Sequence, residues 1–253
     1  TLDNINFNVP KGSIMGFIGQ NGAGKTTTIR SLLNIISIDE GEIKLLGLDY
    51  LKNEQEIKER ISVVFDELPF HDIFTAKDMA RIFEGIYPQW DNAVYTQYLD
   101  RFVLPKNKKI GEFSKGMKMK LQIACALSHN AELLVMDEAT TGLDPVVRDE
   151  ILHIFMEYLQ DGERSILMSS HITSDLEKIA DSVTFIDKGK LLISGYKDDI
   201  LESHGILKCD KSELSNIDPK DIVSIRMNNY GAEVMLSDRQ SASYRYSGAI
   251  IDP

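Results

Sequence analysis

The sequence predicts an α/β fold in which a mostly parallel β-sheet is covered on both faces by helices. Three observations carry that prediction. Short, continuous apolar runs recur at residues 14–18, 61–65, 133–136, 166–168 and 183–186, as buried strands require. Helical apolar spacing lies between several of them, at 146–159 and 174–179. The first run leads at once into a glycine-rich loop and a helix whose Ile29, Leu32, Leu33 and Ile36 share one face.

In chain order, Ile5, Phe7 and Val9 alternate with asparagine, which predicts a half-buried strand closed by Pro10-Lys11-Gly12. The buried strand at 14–18, the glycine loop and the first helix follow. Between the strands at 61–65 and 133–136 the pattern changes, and 75–86, 95–103 and 114–128 all suit helices. This predicts a helical insertion. From about Tyr196 the pattern changes again. Residues 222–227 and 233–236, joined by Asn228-Asn229-Tyr230-Gly231, predict a β-hairpin in a small α+β C-terminal appendage. The expected organisation is therefore a core of 1–65 and 131–195, a helical unit of 66–130 and an accessory region of 196–253.

A chain of 253 residues can bury a full core and carry a smaller unit besides. Its 28 basic and 39 acidic side chains leave a net charge of −11. Such a body is repelled by phosphate backbones and anionic lipid, so no nucleic-acid partner is expected. The longest stretch free of charged residues, 12–24, is too short and glycine-rich to cross a bilayer, so a membrane role must come through a partner. Cys125 lies in an apolar run and reads as a buried, inert thiol; with Cys209 far away, no disulfide framework is expected.

The chemistry concentrates in two segments. Gly19-Gln20-Asn21-Gly22-Ala23-Gly24-Lys25-Thr26 fits G-x-x-x-x-G-K-[ST]. Glycines let successive backbone N–H groups turn toward phosphate oxygens, and the helix N-terminus adds partial positive charge. Lys25 would reach the outer phosphates and the Thr26 hydroxyl a Mg²⁺ ion. The second segment is the apolar run Leu133-Leu134-Val135-Met136, ending in Asp137 and Glu138. Asp137 is placed to hold the metal and Glu138 to orient or deprotonate an attacking water.

With these motifs in this order, the chain resembles the ATP-binding subunits of ABC transporters over roughly residues 1–195. The resemblance implies a P-loop NTPase (RecA-like) core with a helical subdomain and an edge antiparallel sheet. It implies ATP and Mg²⁺ as ligands, held by residues 19–26 with Thr27. Thr141-Gly142-Leu143-Asp144 is similar to the family's D-loop, and His171, after Ser169-Ser170, to its γ-phosphate-sensing histidine. The adenine-stacking aromatic of the family would fall upstream of Thr1.

Two motifs depart from the family pattern, the signature at Lys115 and Met117 and the residue at Asp66. The signature motif, usually LSGGQ, reads Phe113-Ser114-Lys115-Gly116-Met117. Ser114 is a candidate N-cap, and Ser114, Lys115 and Gly116 are expected to meet the γ-phosphate held by a second subunit. Asp66 stands where the family has glutamine, and is expected to approach Mg²⁺ in a closed dimer.

The resemblance thus implies an ATPase subunit that pairs head to tail with a second ATP-binding subunit. It would drive integral membrane subunits, through the helical insertion and the loop at Asp66-Glu67-Leu68, from the cytoplasmic face of the cell membrane. The overall pattern is similar to exporters of antibiotics and amphipathic peptides, phenol-soluble modulin exporters among them. The alternative is a non-transport or regulatory ABC ATPase with weak hydrolysis. No heptad run like the long coiled coils of DNA-repair relatives is read, and one cassette rather than the two of translation factors is expected.

Overall fold

Local sequence signals settle most of the elements. The structure, a computed structural model, describes residues 2–67, 69–228, 231–246 and 250–252. The first half contains β1 (Ile14–Ile18), α1 (Lys25–Leu32), β2 (Lys44–Leu45), β3 (Leu48–Asp49), α2 (Glu54–Arg60), β4 (Ile61–Phe65), α3 (Ala76–Ile86), α4 (Asn92–Arg101) and α5 (Lys115–Ala126). Then come β5 (Leu133–Asp137), α6 (Pro145–Tyr158), β6 (Ser165–Ser170), α7 (Thr173–Ile179), β7 (Ser182–Asp187) and β8 (Lys190–Tyr196). The C-terminal part holds α8 (Lys197–Ser203), β9 (Gly205–Cys209), β10 (Ile222–Met227), β11 (Ala232–Leu236), α9 (Arg239–Arg245) and β12 (Ile250–Asp252).

The main sheet has strand order β4-β5-β6-β1-β7-β8, all neighbours parallel except the antiparallel β7–β8 pair at one edge. Strand periodicity sorts its side chains onto two cores. Ile14 and Ile18 of β1, with Leu134 and Met136 of β5, face a cluster with Leu121, Phe155 and Leu176. Met15 and Phe17, with Leu133 and Val135, face the opposite cluster with Ile29, Tyr50 and Ile57. Both faces are covered, as the apolar runs demand.

The three helices expected between β4 and β5 are present as α3, α4 and α5. Thr75 starts α3 with a capping box in which Asp78 N–H donates to the Thr75 hydroxyl and Thr75 N–H to the Asp78 carboxylate. Asp91 and Ser114 cap α4 and α5 more simply, their side-chain oxygens accepting from first-turn N–H groups.

Some expectations need correction. Residues 5–9 form no strand; Leu2, Phe7 and Val9 pack on the second core, with the Phe7 and Phe17 rings 5.2 Å apart. Their alternation reflects burial of one side without a neighbouring strand to pair with. Helix α1 ends at Leu32, because Asn34 turns into the left-handed region at φ 54, and Ile35 and Ile36 are exposed rather than on the core face. The expected edge antiparallel sheet is reduced to the short β2–β3 ladder and the antiparallel edge strand β8.

The C-terminal hairpin is β10–β11, and β9 and β12 extend it to a four-stranded antiparallel sheet, order β10-β11-β9-β12. Leu207, Ile217, Val234, Leu236 and Ala242 form its separate core. Asn229 and Tyr230 of the expected turn, and Leu68 of the loop after β4, lie outside the described residues. Among the described residues no helix is long and apolar enough to cross a membrane.

Candidate nucleotide-binding site

The parallel register brings distant residues to one edge. Phe65, Asp137, Ser169 and Phe17 lie side by side on β4, β5, β6 and β1. The residues that follow on three of these strands, Asp66, Glu138 and Ser170, and the glycine loop that leaves β1, therefore emerge together at the carboxyl ends of the strands. That edge is where open α/β sheets bind ligands.

The glycine loop is tightly seated. Ala23 N–H donates to Gln20 O at 3.1 Å, closing the turn that exposes Asn21 and Gly22. A Cβ on Gly19 would lie 2.5 Å from Ile186 O, so no side chain fits there. Gly24 serves as the N-cap of α1, which begins at Lys25 and carries Thr26 and Thr27 in its first turn. Lys25 is 5% exposed, and its ammonium donates to Gly19 O at 2.7 Å and Gln20 O at 3.2 Å.

Glu138 is the centre of the site. Its φ of 56 is strained for a non-glycine residue, a cost of about 1–3 kcal/mol that surrounding contacts must offset. Its N–H donates to Ser169 O at 3.2 Å and lies 3.1 Å from Ser169 Oγ, which holds the turn. Oε2 accepts from the Thr141 hydroxyl at 2.8 Å and pairs with His171 Nδ1 at 2.7 Å. Oε1 lies 3.0 Å from Lys25 Nζ, an ion pair off the line of a hydrogen bond, so this buried oxygen has no hydrogen-bond donor. Burial alone would raise the Glu138 carboxyl; Lys25, Thr141 and His171 together outweigh it and hold the carboxyl below the ordinary glutamate value. Asp137, more deeply buried than Glu138, accepts from Ser169 Oγ at 2.7 Å.

These residues fit a triphosphate with a metal. The loop has a glycine where backbone leaves no space, the ammonium is buried among carbonyl oxygens, and Glu138 keeps a buried oxygen without a donor. Thr26 and Asp137 supply the hydroxyl and carboxylate a Mg²⁺ ion prefers.

A family model described as ABC transporter matches residues 2–141, more than half of the chain. The chain belongs to the ABC transporter family. It is 39% identical over 194 residues to the bacitracin transport ATP-binding protein BcrA of Bacillus licheniformis, an alignment covering 76% of this chain and 63% of that protein. It is 34% identical over 205 residues to the ABC transporter ATP-binding protein NatA of Bacillus subtilis, covering 79% and 83%. A solved structure of an ATP-binding subunit of an ABC transporter superposes with a TM-score of 0.72 at 27% identity, covering 79% of this chain and 85% of that one.

Within that ABC frame, the residues expected at the site do not all gather. Gly19 to Thr26, Asp137, Glu138 and His171 converge. The signature residues Ser114, Lys115 and Gly116 lie at the start of α5, where Ser114 Oγ accepts from Met117 N–H at 3.2 Å. Asp66, expected to approach a metal in a closed dimer, is paired here with Lys115, Oδ1 to Nζ 2.9 Å. His171 rests on Glu138 within its own subunit. Three supporting roles went unread in the sequence. Ser169 braces both carboxylate residues, the Thr141 hydroxyl braces Glu138, and buried Gln122 grips Phe65, accepting from its N–H at 3.2 Å and donating to its O at 3.0 Å. A lone glutamine inside the apolar run Leu121-Gln122-Ile123-Ala124 was the available signal for the last.

Burial pushes the Cys125 thiol up, consistent with an inert side chain. Among the described residues no cluster of three or more His, Cys, Asp or Glu side chains is arranged to hold a metal by itself.

Proposed function

We propose that the chain is the ATP-binding subunit of a membrane exporter, hydrolysing MgATP at a head-to-tail interface between two such subunits. The single observation that carries this reading is Glu138, held at a strained strand end by Lys25, Thr141 and His171, next to Asp137 and facing the glycine loop. Loop amides and Lys25 would bind the phosphates. Thr26 and Asp137 would hold Mg²⁺, which supplies neutralisation of charge on the transferring phosphoryl group. Once Lys25 turns to phosphate, Glu138 is free to orient water, and His171 is within reach to stabilise developing charge. Ser114 at the tip of α5 would complete the site of the partner subunit. Asp66 would reach a metal only by leaving Lys115.

Residues 1–65 with 131–195 would act as the ATP-binding core, 66–130 as the helical lever and 196–253 as an accessory region. A groove of about 880 Å³ beside edge strand β4, lined by Leu51, Val63, Phe65, Ile86 and Tyr87 among others, supports docking of a membrane subunit next to Asp66. Similarity to a protein of bacitracin transport supports peptides or antibiotics as cargo, with work done at the cytoplasmic face of the membrane. The test is steady-state phosphate release and MgATP binding by the purified chain. Lys25→Ala is expected to lower nucleotide affinity at least about tenfold, since one charge-assisted phosphate contact is worth more than 1.4 kcal/mol. Equal binding by both proteins refutes the proposal.

A further inference from the structure

Two of the positions at which the chain departs from the family pattern, Asp66 and Lys115, are partners of each other. Lys115 opens α5, and no acidic residue shares that first turn. A cation there faces the positive end of the helix dipole, so its side chain needs an anion from elsewhere. Asp66 provides it across 49 residues of sequence, at 2.9 Å.

The contact is not isolated. Lys115 and Gln122 are two helical turns apart on the same face of α5. Gln122 clamps both backbone groups of Phe65, the residue before Asp66. The end of β4 is thus tied to α5 at two points, one buried and fixed, one exposed and breakable. The Lys115 side chain also lies along the turn at Gly142. A Cβ on Gly142 would sit 3.2 Å from Lys115 Nζ, 3.8 Å from its Cε and 3.9 Å from its Cδ. The neighbouring Thr141 donates to Glu138. Asp66 is therefore bonded to Lys115, whose side chain lies beside the Gly142 turn, and the adjoining residue of that turn, Thr141, is bonded to the carboxylate at the centre of the site.

We propose that Lys115 and Asp66 act as one positioning unit, which ties the loop after β4 to the signature helix and lines the Gly142 turn so that Thr141 stays on Glu138. The inference rests on the hydrolytic reading above. Both side chains of the pair are about half exposed, at 49% and 44%. Such a pair contributes little to stability, about 0–1 kcal/mol. Its effect is on placement, and misplacement near a reacting centre is costly in rate.

The experiment is a double-mutant cycle with Asp66→Ala, Lys115→Ala, the double variant and Lys115→Arg. It is read by kcat and KM for MgATP and by backbone amide exchange of residues 139–143 in the nucleotide-free chain. Each single alanine variant is expected to lower kcat about 5- to 20-fold with KM within about twofold. The double variant should be no slower than the slower single one, and Lys115→Arg should recover most of the rate. Exchange at 139–143 should rise in both single variants while melting temperatures stay within about 4 °C of the parent. Effects on kcat that multiply in the double variant overturn the proposal. So does a rise in KM with kcat intact, which would mean that Asp66 or Lys115 meets nucleotide or metal on its own. Unchanged exchange at 139–143 overturns it as well. A parent chain that hydrolyses nothing and binds nucleotide no better than Lys25→Ala defeats the broader reading, and the exchange measurement still decides whether the unit exists.

Discussion

Replacing Glu138 by glutamine should have effects of opposite sign with and without nucleotide. Without nucleotide, the carboxylate is the counter-charge of the buried Lys25 ammonium at 3.0 Å. At an effective dielectric constant of about 20, the gross attraction is about 332/(20 × 3.0), or roughly 5 kcal/mol. Desolvation of both groups takes back most of it, and Lys25 keeps its two carbonyl partners, so a net loss of about 1–2 kcal/mol is expected. For a chain of this size that lowers the melting temperature by about 3–6 °C. With MgATP the ammonium gains phosphate oxygens, and loss of the residue that serves the water should cut kcat about 10²- to 10⁴-fold. The unhydrolysed ligand then stabilises the variant, by about 2.7 kcal/mol at a hundredfold excess over Kd. Thermal unfolding with and without MgATP, alongside phosphate release, reads both effects. The sign with pH follows from the lowered Glu138 pKa. The ion pair's contribution is complete above the ordinary glutamate range near about 4.3 and is lost as pH falls through the folded-state value. The difference between parent and variant should therefore close in acid. A nucleotide-free variant that melts at or above the parent at neutral pH would show that Lys25 and Glu138 do not support one another, and the reasoning would fail.

Two further outcomes test the scaffold. His129 is 1% exposed, stacked on Tyr87 at 3.9 Å and in contact with the Ser62 hydroxyl, and burial pushes its pKa down from 6.5 to about 4. It stays neutral in the fold while the unfolded chain takes up a proton, so stability falls as pH drops from 6.5 to 4, by roughly 3 kcal/mol. Denaturant unfolding of His129→Leu across that range should lack this component of the slope. Gln122→Leu strands both backbone groups of Phe65 and should cost about 2–3 kcal/mol, seen as a lower urea midpoint with unchanged slope.

Much of this was legible in the sequence, for reasons that differ by element. Strands buried on both faces read as continuous apolar runs, so β1, β4, β5, β6 and β7 stand out. The helices of the insertion show through their apolar spacing and, for the third, through Ser114 as a cap, whereas the caps Thr75 and Asp91 emerge only from the structure. Helix α2 is silent because only Ile57 among its seven residues is buried. The apolar alternation at 5–9 misleads because a side chain can pack on a core while its backbone pairs with nothing. At the site, the glycine loop, Asp137 and Glu138 were readable from motif and spacing. The pairing of Asp66 with Lys115 was not, since charge alone does not say which of many carboxylates a lysine will meet. Only the register that sets β4 beside β5, with α5 across both, decides it.

The strand order has a consequence for how the protein comes into being. Strand β1, which carries the phosphate loop, is flanked by β6 and β7, both made late in the chain. On a ribosome, a chain made only through residue 160 would include the glycine loop and both carboxylates, yet β1 would lack both of its neighbouring strands and Glu138 would have neither Ser169 nor His171. The loop and its two carboxylates therefore gain their supporting neighbours only once the chain has been made through β7.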